Sequence, residues 1–539
     1  MQDDQPVALR LWNRLYSAWK RTDISHRGAY TARRARALEH YCHSTSLSRV
    51  LAVCFLTPLP ILCFVLAMEL LPLNAPSDGW RSNSGWVVRY VFVFNLLSLC
   101  CLQQASSFLT TLNITLGQGL AIAWITVSCY FVVLLTIMAV WVFPIPFVFE
   151  LTGGVFGAVF MGCVVMILGR QTIAKTPQAR VLYYVSAVEA AMCFVYPVFS
   201  AVYHVLNGIQ QLALIIFLYV LKVFTRLSMA HACCSSTDEE DRLRSLARLP
   251  ERVVFTANLF HLVYLMTCLQ GARMSIWTIG TLVSIDTFTS VLSVKRLIRR
   301  PAVVLICTLP KEGMAIKQSR AAVVPLNGPP VTAIPIKLSI VSRMAKSFIV
   351  RVVDMTLVRR SLSRISGHSS SWSVRSSPRS RIVPSQQTEL SERRRPEPIS
   401  KPRDGNVVRF QTLSMAEYFI LVKYVSCIIP VMVGVYTSIL ARLPNAVYYP
   451  ALAGTTANER KASQFDVAVY AMLQILSLIA FELILRRRLQ YSVLHQLGFV
   501  LETASADIQA KLGMFIPYCF FFFLEHNGVD FSFQFAWMN

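Results

Sequence analysis

The chain has 539 residues, 55% of them apolar and only 15% charged, with a mean hydropathy of +0.51. A water-soluble domain carries roughly 25% charged residues because its surface must face water, so this composition excludes a string of ordinary soluble domains and makes lipid the solvent. The net charge of +24 lies mainly in segments that flank apolar runs, a pattern of membrane topology, and no nucleic-acid partner is expected from it.

Residues 1–49 form a basic N-terminal segment with Arg27, Arg33, Arg34, Arg36 and Arg49. Leu11, Trp12, Leu15, Tyr16 and Trp19 share one helical face beside Arg10, Arg14 and Lys20, which predicts an amphipathic helix at the headgroup layer. The first long apolar run starts only near residue 50, so targeting falls to the first spanning helix rather than to a cleaved leader.

A helix crosses the hydrocarbon with about 20 apolar residues. Such runs recur at 50–72, 86–106, 119–143, 153–169, 181–203, 208–229, 253–270 and 274–294, and again at 417–440 and 466–485. Every backbone donor and acceptor in lipid must be paired internally, so these are helices. The fold class is all-α, a polytopic transmembrane bundle of about ten spans, with eight in 50–294 and two more in 414–488. Lys and Arg asymmetry sets the orientation. Alternation from a cytoplasmic N-terminus puts Arg170, Lys175 and Arg180, then Arg242, Arg244, Arg248 and Arg252, and finally Arg486, Arg487 and Arg488 on the same side. The location is the plasma membrane or an endomembrane, and the lipid bilayer is the first partner.

Residues 295–413 are basic and rich in Ser, Arg and Pro. They hold too little apolar surface to offset chain entropy, which predicts a mostly disordered cytoplasmic loop. Within it, Val341, Met344, Phe348, Val352 and Met355 recur at helical spacing around 340–360, with Arg343, Lys346, Arg351, Arg359 and Arg360 on other positions. That basic amphipathic stretch is a candidate surface for anionic lipid or a cytoplasmic protein, or a helix docked on the bundle. After 488, residues 489–512 read as an amphipathic helix leading to the aromatic run Phe520–Phe523. This C-terminal segment, 489–539, either packs on the bundle or makes an eleventh span.

The stretches Leu443-Pro444-Asn445-Ala446-Val447-Tyr448-Tyr449-Pro450, Gln496-Leu497-Gly498-Phe499-Val500-Leu501-Glu502 and His526-Asn527-Gly528-Val529-Asp530-Phe531-Ser532-Phe533 stand out. With Thr57-Pro58-Leu59-Pro60 and the Leu73…Gly79-Trp80 turn, they resemble an expanded oomycete family of multi-pass membrane proteins. The resemblance covers most spans but not the basic loop. It implies the membrane architecture and carries over no functional residue.

Ionisable groups at membrane depth are costly and mark candidate sites. Glu189 lies mid-span, and Ser186, Tyr196, Ser200 and His204 follow at helical intervals around it, a polar stripe suited to a hydrated path or an interhelical network. Pro197 on the same helix favours a kink. Asp286 sits mid-span with Thr289, Ser290 and Ser293 close by. If the two carboxylates share an interior, they suit proton or cation coupling; the alternative is structural pairing with Lys222 or Lys423. Glu482 pairs with Arg486 one turn on. Pro58, Pro60 and Pro430 are candidate helix breaks, and Gly154, Ala158 and Gly162 form a small-residue stripe for close helix packing. Of the 14 Cys, those in spans, such as Cys54, Cys63, Cys129, Cys163 and Cys193, read as small apolar packing residues. Cys42, Cys233 and Cys234 at the membrane edge are candidate acylation sites.

The chain has no phosphate-binding loop, paired-His metal helix or nucleophile elbow, and no catalytic residue, metal or cofactor is predicted. Two functional readings follow. One is a transporter or channel for an ion or small solute, built on Glu189 and Asp286. The other is a membrane scaffold or sensor whose basic loop binds anionic lipid or protein.

Overall fold

The computed structural model describes residues 24–25, 27–109, 112, 114–169, 178–206, 209–235, 239–271, 276–298, 404–489, 492–530 and 535. The interfacial helix expected before residue 20, the loop beyond 298 and the stretch around 340–360 with Arg343, Lys346, Arg351, Arg359 and Arg360 lie outside these residues.

The described chain is helical throughout, with no strand among these residues. Helix α1 (Ala32–Ser44) precedes α2 (Leu47–Leu56) and α3 (Leu59–Glu69), followed by α4 (Ser84–Phe108), α5 (Leu116–Val140) and α6 (Val148–Leu168). Next come α7 (Gln178–Val205), α8 (Ile209–Cys234) and the short α9 (Glu239–Ala247). Polar residues start several of these helices. The Thr31 and Ser46 side chains accept from the backbone N–H of Arg34 and Arg49, and Thr115 with Gln118 forms a capping box at α5, satisfying donors that have no partner within the first turn.

Among the described residues, eight helices are long and apolar enough to cross a membrane: Leu47–Glu69, Ser84–Phe108, Leu116–Val140, Val148–Leu168, Gln178–Tyr203, Ala213–Cys234, Arg409–Leu440 and Ala457–Arg487. The two remaining apolar runs are also helical. Residues 249–271 form α10 (Leu249–Val253), a π-helical turn at Val254–Asn258 and α11 (Leu259–Gly271), while α12 spans Ile276–Ile298 and carries Asp286, Lys295 and Arg296. Every side chain from 249 to 266 is buried, so this segment lies inside the bundle.

At the centre is α13 (Asp404–Leu440). Its apolar window is 78% buried, against 22–50% for the other seven spanning helices. It packs on α14 (Ala457–Leu489), on α11 and on α15 (Val493–Thr503). Pro430 lies within its continuous helix, so the break expected there does not occur. Pro58 does divide the first span, between α2 and α3. Proline has no N–H for the carbonyl four residues back. Here that carbonyl, on Cys54, accepts from the Tyr424 hydroxyl at 2.8 Å, and the Thr57 carbonyl beside the break accepts from Gln509 Nε2 at 2.6 Å.

The C-terminal segment is part of the core. Helix α16 (Ser505–Phe521) is largely buried and lies against α4. Gln103 Nε2, near the end of α4, reaches Asp507 at 3.3 Å, and Trp86 Nε1, near its start, reaches Asn527 at 3.0 Å. The segment therefore runs antiparallel to α4 over its whole length.

Besides the contacts in the interior, two sets of contacts join distant segments, one at each end of the bundle. At the first end, Arg49 meets Glu502, Arg34 meets Glu417 and Glu251, and Arg248 meets Asp507. At the opposite end, Asn445 accepts from Leu73 N, His526 bonds Asn74 and Asn83, and Phe147 N donates to Gly528 O. The first end holds the arginine-rich segments; the second holds most of the sequence stretches singled out above.

Two expectations about side chains change. A methyl group added at Gly154 or Gly162 would meet no heavy atom within 4 Å, and Ala158 is exposed, so the small-residue stripe meets no neighbouring helix among the described residues. Glu482 does not serve chiefly as a neighbour of Arg486. Its Oε2 accepts from the backbone N–H of Val493 and Leu494 at 2.8 and 3.1 Å, and its Oε1 accepts from Ser492 Oγ at 3.1 Å, capping α15. Cys54 and Cys163 are buried as packing residues, Cys193 is half-buried, and Cys63 and Cys129 face outward.

Candidate intramembrane site

Each of the two predicted carboxylates in the interior acquires a lysine from another helix. Glu189 on α7 pairs through Oε1 with Lys511 Nζ of α16. Lys511 also donates to Gln104 Oε1 at 2.8 Å, and Gln104 Nε2 donates to Glu189 Oε2 at 2.8 Å. The three side chains close a ring, and all are at least nine-tenths buried. Neither Lys222 nor Lys423 is the partner of Glu189. Lys511 was the missed residue, and its signal was a lysine among Ile508, Leu512, Phe515 and Ile516, an apolar setting where a charge is costly.

The rest of the predicted stripe divides. Ser186 is exposed, Tyr196 packs its ring 5.3 Å from Tyr264 and 5.8 Å from Phe260, and Ser200 is buried. His204 lies in α7, but its side chain is outside the described set.

Asp286 on α12 accepts from Lys423 Nζ of α13 at 2.8 Å, and Lys423 also reaches Ser477 Oγ of α14 at 3.1 Å. The lysine is buried and the carboxylate about one-quarter exposed. Thr289 and Ser290 donate back to the Asp286 carbonyl, the local bonding common for hydroxyls inside helices, and take no part in the ion pair. Glu189 and Asp286 thus belong to separate pairs on different helices and do not share one acidic site.

Beside the Asp286–Lys423 pair stand two cations on α8. Lys222 lies within electrostatic reach of Asp286, of Lys423 and of Arg226, which follows one turn on. No ion pair among the described residues involves Lys222 or Arg226. Lys222 Nζ lies 5.6 Å from the Tyr219 ring centroid. Arg226 Nε donates to Asn258 Oδ1 at 2.8 Å and Nη2 shares the same acceptor. That bonding fixes which way the Asn258 amide faces, and leaves its buried Nδ2 without an acceptor. Asn258 closes the π-helical turn, a distortion that re-aims side chains. His261, buried next to Lys222 and Arg226, has an unpartnered Nδ1. Among the described residues, three cations therefore stand around one carboxylate.

Two further polar clusters lie at the ends. At the arginine-rich end, Arg34 joins Glu417 at 2.7 Å and Glu251 at 3.8 Å. At the other, buried Glu69 accepts from Arg89 at 3.0 Å and from Tyr436 at 2.9 Å, and also from Tyr449, while Asn445 Nδ2 donates to the Glu69 and Leu71 carbonyls. In both clusters each charged side chain has a partner of opposite charge, and the contacts tie segments together. Among the described residues, no group of three His, Cys, Asp or Glu could hold a metal ion.

Comparison with protein-family models, curated proteins and solved structures gave no match to this chain.

Proposed function

We propose that this membrane protein is a carrier or channel for an ion or small solute, working at the Asp286–Lys423–Lys222–Arg226 cluster. The observation that carries the reading is the unmatched positive charge. Leaving a buried charge without a partner costs several kcal/mol, and intramembrane charges usually mark solute or proton pathways. Among the described residues the buried Lys222 and the half-buried Arg226 have no carboxylate partner, and the free Nδ2 of Asn258 stands beside Arg226. An anionic solute supplies both the missing charge and the missing acceptors. The sign is opposite to the cation coupling that two facing carboxylates would serve. Lys423 has two alternative partners, Asp286 and a bound anion, and exchange between them is the switching step of the proposed cycle.

In this reading the ten apolar helices and α16 all cross the bilayer. The arginine-rich end faces the cytosol by the positive-inside rule, and the C-terminus emerges on the opposite side.

The test is anion flux by the purified protein in liposomes, with chloride, phosphate and acetate as probes. Lys222→Gln is expected to abolish the flux, and Asp286→Asn to change its rate while the fold survives. Undiminished flux in both variants, or no flux of any probe by the wild type, removes the proposal.

A further inference from the structure

An open groove of about 780 Å³ runs between α7 and α8. Its polarity changes along its length. Arg180, His231 and Ser235 lie toward the arginine-rich end, whereas Ala187, Val188, Ala191 and Leu227 line the deeper part, with Ser228 the one polar side chain among them. Arg180 and Ala191 are eleven positions apart on one helix, roughly 16 Å at 1.5 Å per residue. That is about half the thickness of a bilayer's hydrocarbon core, ~30 Å. The groove is thus as deep as one leaflet and graded in the same sense, polar at the headgroup level and apolar below.

Its surroundings fix the medium that fills it. Tyr184, Phe194, Val220 and Phe224 are exposed beside it, so its deep part opens to acyl chains. Ala187 and Ala191, one turn apart, leave a shallow channel where larger side chains would close it. Tyr184 lines the groove nearer Arg180, the level where aromatic side chains with a polar tip favour the interface. Neither Arg180 nor His231 takes part in an ion pair among the described residues. A guanidinium matches phosphate oxygens in a two-pronged geometry.

We infer that this groove holds one acidic phospholipid, of the cytoplasmic leaflet on the orientation proposed above, its net negative headgroup on Arg180 and His231 and one acyl chain along Ala187 and Ala191. The site is separate from the Asp286 cluster, and its occupancy is read without reference to transport.

The experiment is native mass spectrometry of the full chain released from nanodiscs containing equal phosphatidylserine and phosphatidylcholine. One phosphatidylserine is expected to remain bound, preferred over phosphatidylcholine by roughly fivefold, the effect of about one basic contact at the headgroup. Arg180→Ala is expected to remove the preference. Ala191→Phe fills the apolar part and is expected to remove retention of either lipid; because residue 191 faces outward, the melting temperature serves as the control that the variant folds. Equal retention of both lipids by the wild type overturns the inference, as does unchanged retention by a folded Ala191→Phe. So does an adduct that survives denaturation and is released by hydroxylamine, which would mean acylation of Cys234 in place of a bound lipid.

Discussion

Replacing Lys511 by Met tests whether the Glu189 pair holds the C-terminal helix in the bundle. Both side chains are 6% exposed, so the Glu189 carboxylate would lose its cation where water cannot reach it. Breaking a buried pair in this way costs about 3–5 kcal/mol. Gln104 Nε2 still donates to Oε2 at 2.8 Å, which keeps the expected loss near the lower figure. The double variant Glu189→Gln/Lys511→Met removes both charges and sacrifices mainly the 2.8 Å bond from Lys511 to Gln104, roughly 1 kcal/mol. Glu189→Gln strands the buried Lys511 ammonium at a similar cost, so the coupling energy of the cycle is about 5 kcal/mol. The assay is unfolding of the wild type, both single variants and the double variant by titration with dodecyl sulfate in mixed micelles. Buried charges are poorly screened, so about 0.5 M salt should leave the coupling intact. A double variant as unstable as the sum of the singles would refute the pairing.

Three further outcomes follow from the contacts described. Glu482→Ala removes the acceptor for two backbone N–H groups at the start of α15 and is expected to lower stability by about 1–2 kcal/mol, read in the same titration. Burial, reinforced by Arg89, holds the His526 imidazole down to about 4 despite its bond to the Asn74 carbonyl. The unfolded chain binds that proton from about 6.5 downward, so this stability is complete above pH 6.5 and falls by roughly 3 kcal/mol as pH drops toward 4; His526→Gln should flatten the decline measured between pH 7.5 and 4.5. An epitope tag after Asn539 should be reachable only from the side of the membrane opposite to one placed before Met1, by antibody binding to intact and permeabilised cells.

The spans were legible because hydropathy is a local property. Twenty apolar residues in a row need no knowledge of the rest of the chain, and the expected 86–106 and 119–143 agree closely with Ser84–Phe108 and Leu116–Val140. Helix α16 was not legible as a core element because Asp507, Gln509 and Lys511 interrupt its apolar run, and their partners Gln103, Thr57 and Glu189 are hundreds of residues away. The site shows the same division. That Glu189 and Asp286 needed partners could be read from their apolar surroundings, and Lys423 was among the candidates for Asp286. The choice of Lys511 for Glu189, and the want of an acid for Lys222 and Arg226 among the described residues, are properties of the packing between helices. Hydropathy says that a helix is in lipid and is silent about which neighbour it meets.

The position of Lys511 has a consequence for biogenesis. It lies 322 residues after Glu189, and a ribosome adding about 5–20 residues per second takes roughly 16–65 s to cover that distance. During that interval the early helices wait in the membrane with Glu189 lacking its cation, its carboxylate bonded to Gln104, and with the Thr57 carbonyl lacking Gln509. A nonsense codon that removes only the last tenth of the protein would leave both groups without these C-terminal partners.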